Sequence, residues 1–225
     1  MLKISNTATL RKKPNKLVLG FFVMFYLFFV IHGFSQKTVE KSWEGTAFDT
    51  LEIISDEVFK IEIIAGDFSK IMLQATIAGE NFESMNIGAS EKDKVLTLKP
   101  SYRPYFTPKN DKLAAHKLLS IEMKIHIPEG MIVYVSSKLA SIETLGMFQK
   151  LDVNLRDGQC ILKEFTGNAK INTHLGDIIV FATSQVFGTA LTKNGNVTNK
   201  LSVSGKYILN AESVNGNISL YKTPE

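Results

Sequence analysis

The chain has 225 residues, of which 44% are hydrophobic and 21% charged, with one cysteine and a formal net charge of +4. This composition is typical of a folded globular chain rather than a disordered or collagen-like one. A single cysteine excludes an intramolecular disulfide framework and any zinc or iron–sulfur site built from several cysteines. Five basic and no acidic residues precede residue 36, and the remainder carries 21 basic against 22 acidic residues. The positive charge therefore belongs to the leader and does not favour a nucleic-acid-binding protein.

The first 35 residues have the pattern of a secretory signal peptide. A basic stretch at residues 11–16 precedes an apolar run at residues 17–31, and Gly33 and Ser35 supply the small residues of a cleavage site. The alternative is an uncleaved anchor, because the apolar run extended to Phe34 is just long enough to span a hydrocarbon core of about 30 Å. Either alternative predicts that residues 36–225 form one exported domain, located in the periplasm, on the outer cell surface or secreted.

Short runs with alternating apolar and polar residues predict β-strands in the exported part. In residues 121–127 the odd positions are apolar, and the even ones are Glu122, Lys124 and His126. A period of two with one polar face indicates a half-buried strand. The predicted strands are residues 51–54, 58–64, 71–77, 95–98, 121–127 and 132–135. Because helical periodicity is almost absent, the fold class predicted is all-β.

Residues 100–119 depart from this pattern. They hold three of the six prolines, interleaved with Tyr102, Tyr105 and Phe106. Proline removes the backbone donor that a sheet needs, so we expect a loop excursion between strands. Asn110 and Asp111 could cap a short helix over residues 112–119.

Two interleaved glycine series fill the C-terminal half. Gly158, Gly176, Gly195 and Gly216 are spaced by 18, 19 and 21 residues, and each precedes a polar and then an apolar residue. A second series runs between them: Gly146, Gly167, Gly188 and Gly205. A common period near 20 residues predicts a single-stranded β-helix, or β-solenoid, with two strands per coil. The N-terminal strands would extend or cap the stack, and the four glycines of the first series would mark its corners.

The register of the repeat predicts which side chains stack. Two positions after each corner glycine an inward ladder is expected, formed by Cys160, Ile178, Val197 and Ile218. One position after it a polar ladder is expected, formed by Gln159, Asp177, Asn196 and Asn217. The alternative is an antiparallel β-sandwich in which Asn194-Gly195 and Asn215-Gly216 are hairpin turns.

These features together carry a resemblance to a known family. The opening strands at residues 48–54, 58–67 and 94–99, and the body at residues 125–131 and 151–155 with the glycine repeats, resemble the bacterial adhesins built on a β-helix. That family includes the auto-transporter adhesin head-like domains of the DUF4097 type. The resemblance covers most of residues 45–222 and implies a role at the cell envelope or surface. It implies no catalytic residue, metal or cofactor.

The residues that could carry chemistry have structural alternatives. Cys160 could be a nucleophile, but its ladder position favours a buried thiol. Asp157, Glu164 and Asp177 could supply the paired carboxylates of a polysaccharide-cleaving enzyme, although solvated corner carboxylates are favoured. No nucleophile, phosphate-binding or His-based metal motif is present.

The excursion carries the candidate partner-binding residues: Tyr102, Arg103, Tyr105, Phe106 and Lys109. Flat aromatic rings beside cations could stack on sugars or bind a protein, whereas the alternative is that they fold back onto the sheet. The function predicted is a non-catalytic, adhesin-like envelope or surface protein that presents an extended face to an unknown protein or glycan. The alternatives are a carbohydrate-active enzyme on a β-helix and an envelope-stress or scaffold component. No nucleic-acid partner is expected, and membrane contact is expected only through an uncleaved leader.

Overall fold

A computed structural model describes residues 36–79, 81–106 and 119–224. The predicted leader, Lys109 and the predicted helix up to residue 118 lie outside these residues. The described chain is all-β, with two short 3-10 turns and fifteen strands in one sheet. No helix among the described residues is long and apolar enough to cross a membrane. The strands are β1 (Gln36–Glu44), β2 (Thr50–Ser55), β3 (Val58–Gly66), β4 (Lys70–Gly79), β5 (Met85–Lys92), β6 (Val95–Tyr102), β7 (Leu119–Pro128), β8 (Ile132–Ser137), β9 (Ser141–Leu155), β10 (Cys160–Thr173), β11 (Ile178–Ala182), β12 (Val186–Thr192), β13 (Val197–Asn199), β14 (Tyr207–Ser213) and β15 (Ile218–Lys222).

The strands pair in two ladders that share the long strands β9 and β10. The first ladder has the order β1-β4-β7-β3-β9-β10-β11-β15-β13. The second has the order β5-β6-β2-β8-β9-β10-β14-β12. All pairs are parallel except β1–β4, β4–β7 and β5–β6, which lie at the N-terminal end of the ladders. Each of the six predicted strands lies within an observed one, while β1 and β5 were not predicted.

Two glycines let the long strands pass from one ladder to the other. Strand β9 pairs with β3 up to Leu145 and with β8 from Lys150 onward. Gly146 lies at this change with φ +105, and Gly167 lies at the corresponding change in β10 with φ +137. A side chain at Gly167 would also place its β-carbon 2.0 Å from the carbonyl oxygen of Phe148. Glycine is therefore required at this bend by both backbone conformation and space.

The four predicted ladder residues form one column, but in a different order from the chain. Cys160 pairs with Ile178, Ile178 with Ile218, and Ile218 with Val197. The C-terminal strands β14 and β15 therefore insert between the earlier strands, and β12 and β13 end the two ladders. The two Asn-Gly pairs are not hairpin turns, because β12 pairs with β14 and β13 pairs with β15, all in parallel.

The inward side chains of both ladders form one hydrophobic core. Cys160, Ile178 and Ile218 are fully buried, and the rings of Phe148 and Phe165 stack with their centroids 5.9 Å apart. Burial of one large aliphatic side chain stabilises a fold by about 1.5–3 kcal/mol. Val197 remains 45% exposed because none of the described strands covers the end of its ladder.

The corner glycines are needed mainly for close approach of the backbone. Positive φ was the expected reason, but among these four it occurs only at Gly158. A β-carbon at Gly176 would fall 1.6 Å from the carbonyl oxygen of Gly158. The corresponding distances are 2.0 Å from Gly216 to Gly176 and 2.2 Å from Gly195 to Gly216. The four glycines thus stack in the same order as the inward column.

The expected excursion begins later than predicted, because β6 continues through Pro100 to Tyr102. The pairing of β6 with β2 ends at Leu98, so no neighbour on that side requires a donor from Pro100. The expected helix up to residue 119 is also corrected at its last residue, since Leu119 begins β7.

Candidate interaction surface

The described part of the excursion is a tight turn after β6. The amide of Arg103 donates to the carbonyl of Ser84 at 2.8 Å, and the amide of Phe106 donates to the carbonyl of Arg103 at 3.1 Å. Tyr102 and Phe106 pack on each other with ring centroids 5.2 Å apart. Tyr105 has φ +68 and a fully exposed side chain. The turn therefore groups two of the predicted aromatic residues and leaves the third one in solvent.

A basic side chain from β1 also reaches this region. Lys37 Nζ donates to the carbonyl of Glu83 at 3.2 Å and to that of Met85. Burial lowers the pKa of Lys37, and the nearby Arg103 guanidinium lowers that pKa further, while the Glu83 carboxylate opposes both. Arg103 thus places positive charge close to Lys37, with the Glu83 carboxylate in the same cluster.

The outward side of the second ladder presents a row of polar side chains in register. We call this set the outward row; its members are Glu52, Tyr134, Asp152, Lys170, Asn210 and Thr189. Lys150 Nζ lies 5.0 Å from the centre of the Tyr134 ring. The row crosses six neighbouring strands, and no sequence motif connects its members. Only the strand register brings them together.

Two shallow grooves flank this row. The first, of about 500 Å³, is lined by Lys150, Asn168, Lys170, Ile208 and Asn210 among others. The groove opens widely to solvent. The groove joins two cations, three side-chain amides and three apolar side chains, a combination suited to polar ligands with an apolar face.

The second groove, also about 500 Å³, runs along the corner between the two ladders. Asn172 Nδ2 donates to Asn154 Oδ1 at 2.8 Å along its floor. Lys138 pairs with Asp56, and Arg156 Nη2 lies 2.9 Å from Asp157 Oδ2 at the corner. His174 also lines this groove. Because opposite charges pair here, the groove offers hydrogen bonds rather than a concentrated charge.

The residues considered for catalysis do not form one site. Cys160 is fully buried, and burial raises the pKa of its thiol to about 12. Asp177 Oδ1 accepts a hydrogen bond from the amide of Asn217 at 2.7 Å, and Glu164 is exposed with φ +47. Neither residue lines the two grooves, and Asp157 is held by Arg156. Among the described residues, no three His, Cys, Asp or Glu side chains come together as a metal-binding group.

Comparison with solved structures relates the fold to known proteins. A Clostridium sporogenes protein, provisionally named a cell adhesion protein, matches with a TM-score of 0.62 and 18% identity over 83% of this chain and 99% of that chain. The chain shares its fold with that protein. A provisionally named adhesin from Bacteroides fragilis matches at 15% identity with a TM-score of 0.40, over 81% of this chain and 96% of that one. A provisionally named lipid-binding protein from Parabacteroides distasonis matches at 16% identity with a TM-score of 0.43, over 85% of this chain and 83% of that one. The last two likenesses are too weak to support an argument. No protein-family model and no curated protein matches the chain.

Proposed function

We propose that this chain is a non-catalytic, adhesin-like interaction protein that works outside the cytoplasm and presents the outward row to a cell-surface glycan or envelope protein. The observation that carries the proposal is the row itself, in which six strands hold polar and aromatic side chains in one register. A rigid row of this kind favours several weak contacts made at once over one deep binding pocket.

The architecture that we propose for this presentation is a β-solenoid. The parallel pairing of β11, β15 and β13, the inward column and the stacked corner glycines support it. The long strands β9 and β10 each supply one segment to both ladders, as expected for a chain that winds from one face to the other. Antiparallel strands β1 and β5 would close the N-terminal end of the winding.

The absence of catalysis is part of the proposal and has its own support. The thiol of Cys160 is buried, and Asp157 and Asp177 each contact a different partner. Both grooves are wide and shallow, whereas an active site that excludes water needs a more enclosed cavity. Export is supported by the signal-peptide pattern of the first 35 residues and by the family resemblance of residues 45–222.

Binding to a glycan array and to envelope fractions tests the proposal with the full chain. The variant Tyr134→Ala/Lys170→Glu removes an aromatic platform and reverses one charge in the outward row, and we expect binding to fall at least about tenfold. Tyr221→Ala/Lys99→Glu makes the same two changes outside the row and is the matched control. Equal binding by the row variant, the control and the wild type would contradict the role of this face.

The same assay separates the row from the excursion turn. Tyr105→Ala removes the fully exposed ring of the turn without removing a buried contact. If Tyr105→Ala abolishes binding and the row variant does not, the partner binds the turn instead. Release of shortened sugars during the assay would identify a carbohydrate-active enzyme and would overturn the non-catalytic proposal.

A further inference from the structure

The two ladders end in neighbouring strands, β12 and β13, and no described strand continues either ladder beyond them. Among the described residues, strand β12 pairs only with β14, and β13 pairs only with β15. We call β12, β13 and residues 200–206 the basic end. Beyond the pairs just given, the edge of β12 has one isolated bridge, between Phe187 and Ser202.

Residues 200–206 lie against the starting half of β12. Besides the bridge at Ser202, Asn199 Nδ2 donates to the carbonyl of Gly188 at 2.9 Å, and Ser202 Oγ donates to the carbonyl of Ser184 at 3.1 Å. The amide of Tyr207 donates to the carbonyl of Gln185 at 3.1 Å. These contacts hold the segment against the end of the ladder while its middle residues point to solvent.

The lysines of this end form no ion pair among the described residues, although Glu212 lies opposite Leu191 on β14 and lines one groove with Lys193. No Asp or Glu occurs between Asp177 and Glu212, whereas Lys193, Lys200 and Lys206 all lie in that interval. The seven ion pairs found among the described residues all lie between positions 44 and 163. Instead of a carboxylate, Lys200 Nζ contacts the Tyr221 ring at 5.6 Å and Lys206 Nζ contacts the Tyr207 ring at 5.0 Å.

Apolar side chains accompany these lysines. Val203, in the middle of residues 200–206, is fully exposed, and Leu191 is 68% exposed. Val197 completes the inward column but is 45% exposed. Exposed aliphatic side chains among lysines that form no ion pair are the combination by which peripheral proteins bind an anionic lipid surface.

We propose that the basic end binds the surface of an anionic phospholipid bilayer. Lys193, Lys200 and Lys206 would contact the lipid phosphates, and Val203 would enter the interfacial region. The free strand edge would remain among hydrated headgroups, because unpaired backbone groups are not tolerated in hydrocarbon. A twofold contact with a second copy is disfavoured because the same three lysines would face each other. This contact goes beyond the proposed function and beyond membrane contact through the leader, since none of the residues proposed to contact lipid belongs to the outward row; β12 carries only the last member of that row, Thr189.

A fluorescent label placed beside Val203 reports contact between the basic end and the bilayer, independently of membrane contact through the leader. Ser204→Cys in the full chain can be labelled selectively with an environment-sensitive maleimide, because the Cys160 thiol is fully buried. We expect a blue shift on addition of phosphatidylcholine vesicles containing phosphatidylglycerol, none with phosphatidylcholine alone, and reversal by salt. The same label at Ser90→Cys, on β5 at the opposite end, should not respond.

Two triple variants that change the net charge of the chain by the same amount measure how much the lysines of the basic end contribute to vesicle binding. Lys193→Glu/Lys200→Glu/Lys206→Glu should weaken the vesicle response at least about tenfold. The control, Lys92→Glu/Lys94→Glu/Lys99→Glu, should retain it. Equal responses of the two variants, an equal blue shift at position 90, or no shift at position 204 would overturn the proposal.

The apolar contribution separates a bilayer from a soluble polyanion. Val203→Ser, which leaves the charge unchanged, should reduce the response to vesicles but leave binding to dextran sulfate nearly unchanged. An equal loss of vesicle response and dextran sulfate binding would show that the basic end binds polyanions and not a bilayer, and would overturn the proposal. Binding of acidic proteins without any vesicle response would overturn it too. Glycan or envelope-protein binding measured on the Lys193/Lys200/Lys206 variant should match the wild type, so failure here is distinguishable from failure of the proposed function.

Discussion

Gly176 stands so close to Gly158 that a β-carbon at residue 176 would lie 1.6 Å from the carbonyl oxygen of residue 158. Two neighbouring strands of the first ladder begin just after these residues, with Cys160 opposite Ile178. The approach of the two backbones therefore depends on the missing side chain. It explains why glycine recurs at this position although φ is positive only at Gly158 among the four corner glycines.

Gly176→Ala should therefore be strongly destabilising. The methyl group can be accommodated only if the strands separate, and overpacking of this kind costs about 3 kcal/mol or more. Urea denaturation gives the free energy of unfolding. Gly130→Ala is the control: Gly130 has φ +75 but nothing within 4 Å of the added carbon, so only backbone strain of about 1–2 kcal/mol is expected. Similar losses in the two variants would contradict the close-approach argument.

A buried hydroxyl near the same corner should contribute to stability. Thr173 Oγ1 donates to the carbonyl of Gly176 at 2.7 Å and lies 2.9 Å from Ser213 Oγ. Thr173→Val removes the shorter of two hydroxyl contacts to that carbonyl, since Ser213 Oγ also donates to it at 3.4 Å, so we expect a loss of about 1 kcal/mol in the free energy of unfolding. Thr189→Val, on the exposed side of the second ladder, should change it by less than about 0.5 kcal/mol. A neutral Thr173→Val variant would show that the hydroxyl does not stabilise the bend.

The inward column was predictable from sequence, but its order was not. Each glycine is followed two positions later by a buried side chain of the column, or by the half-exposed Val197 at its end. Val197 and Ile218 follow the same Asn-Gly-Asn sequence, so local pattern cannot tell which of them lies next to Ile178. That choice is made by long-range strand pairing, which the sequence period does not encode.

The candidate surface was less predictable than the fold. Tyr134 and Lys170 lie 36 positions apart in the sequence and meet across β9 only through strand register. The excursion could be predicted as a candidate surface because its prolines and aromatic residues are close together in the chain. Strand β1 was missed because its inward side carries Lys37 and Lys41, which donate to carbonyls of β5 instead of joining an apolar face.

The contact of Lys41 with β5 should stabilise the end of the second ladder. Lys41 Nζ donates to the carbonyl of Ile87 at 2.7 Å and thereby covers part of the β5 strand. Lys41→Met keeps the aliphatic stem but removes the donor, so the free energy of unfolding should fall by about 0.5–1.5 kcal/mol. Aggregation should also increase as the strand edge loses its cover. Lys92→Met, at the exposed end of β5, is the control and should leave both measurements unchanged.

The thiol of Cys160 should make stability depend on pH above neutrality. Its pKa in the folded chain is about 12, against 9.0 for an unperturbed thiol. Between these values the unfolded chain loses the proton and the folded chain keeps it, so the thiol's contribution is complete below about pH 9 and declines as pH rises towards 12.

Cys160→Ala isolates this effect from other groups that titrate at high pH. The difference in the free energy of unfolding between wild type and variant should shrink from about pH 8 to about pH 10, by up to about 1.4 kcal/mol per pH unit above the thiol's ordinary pKa. The native thiol should also fail to react with a disulfide reagent until the chain unfolds. A constant difference, or rapid labelling of the native chain, would contradict burial of Cys160.

Engineered disulfides test the strand order on which the proposed solenoid depends. Thr198 pairs with Ser219, and Ser219 pairs with Ile179 on its other side. Two strand spacings of about 4.8 Å therefore separate residues 179 and 198, too far for a disulfide. We expect Thr198→Cys/Ser219→Cys to cross-link in the folded chain and Ile179→Cys/Thr198→Cys to remain reduced. Cross-linking of the 179/198 pair without the 198/219 pair would place β13 directly beside β11 and would contradict this architecture.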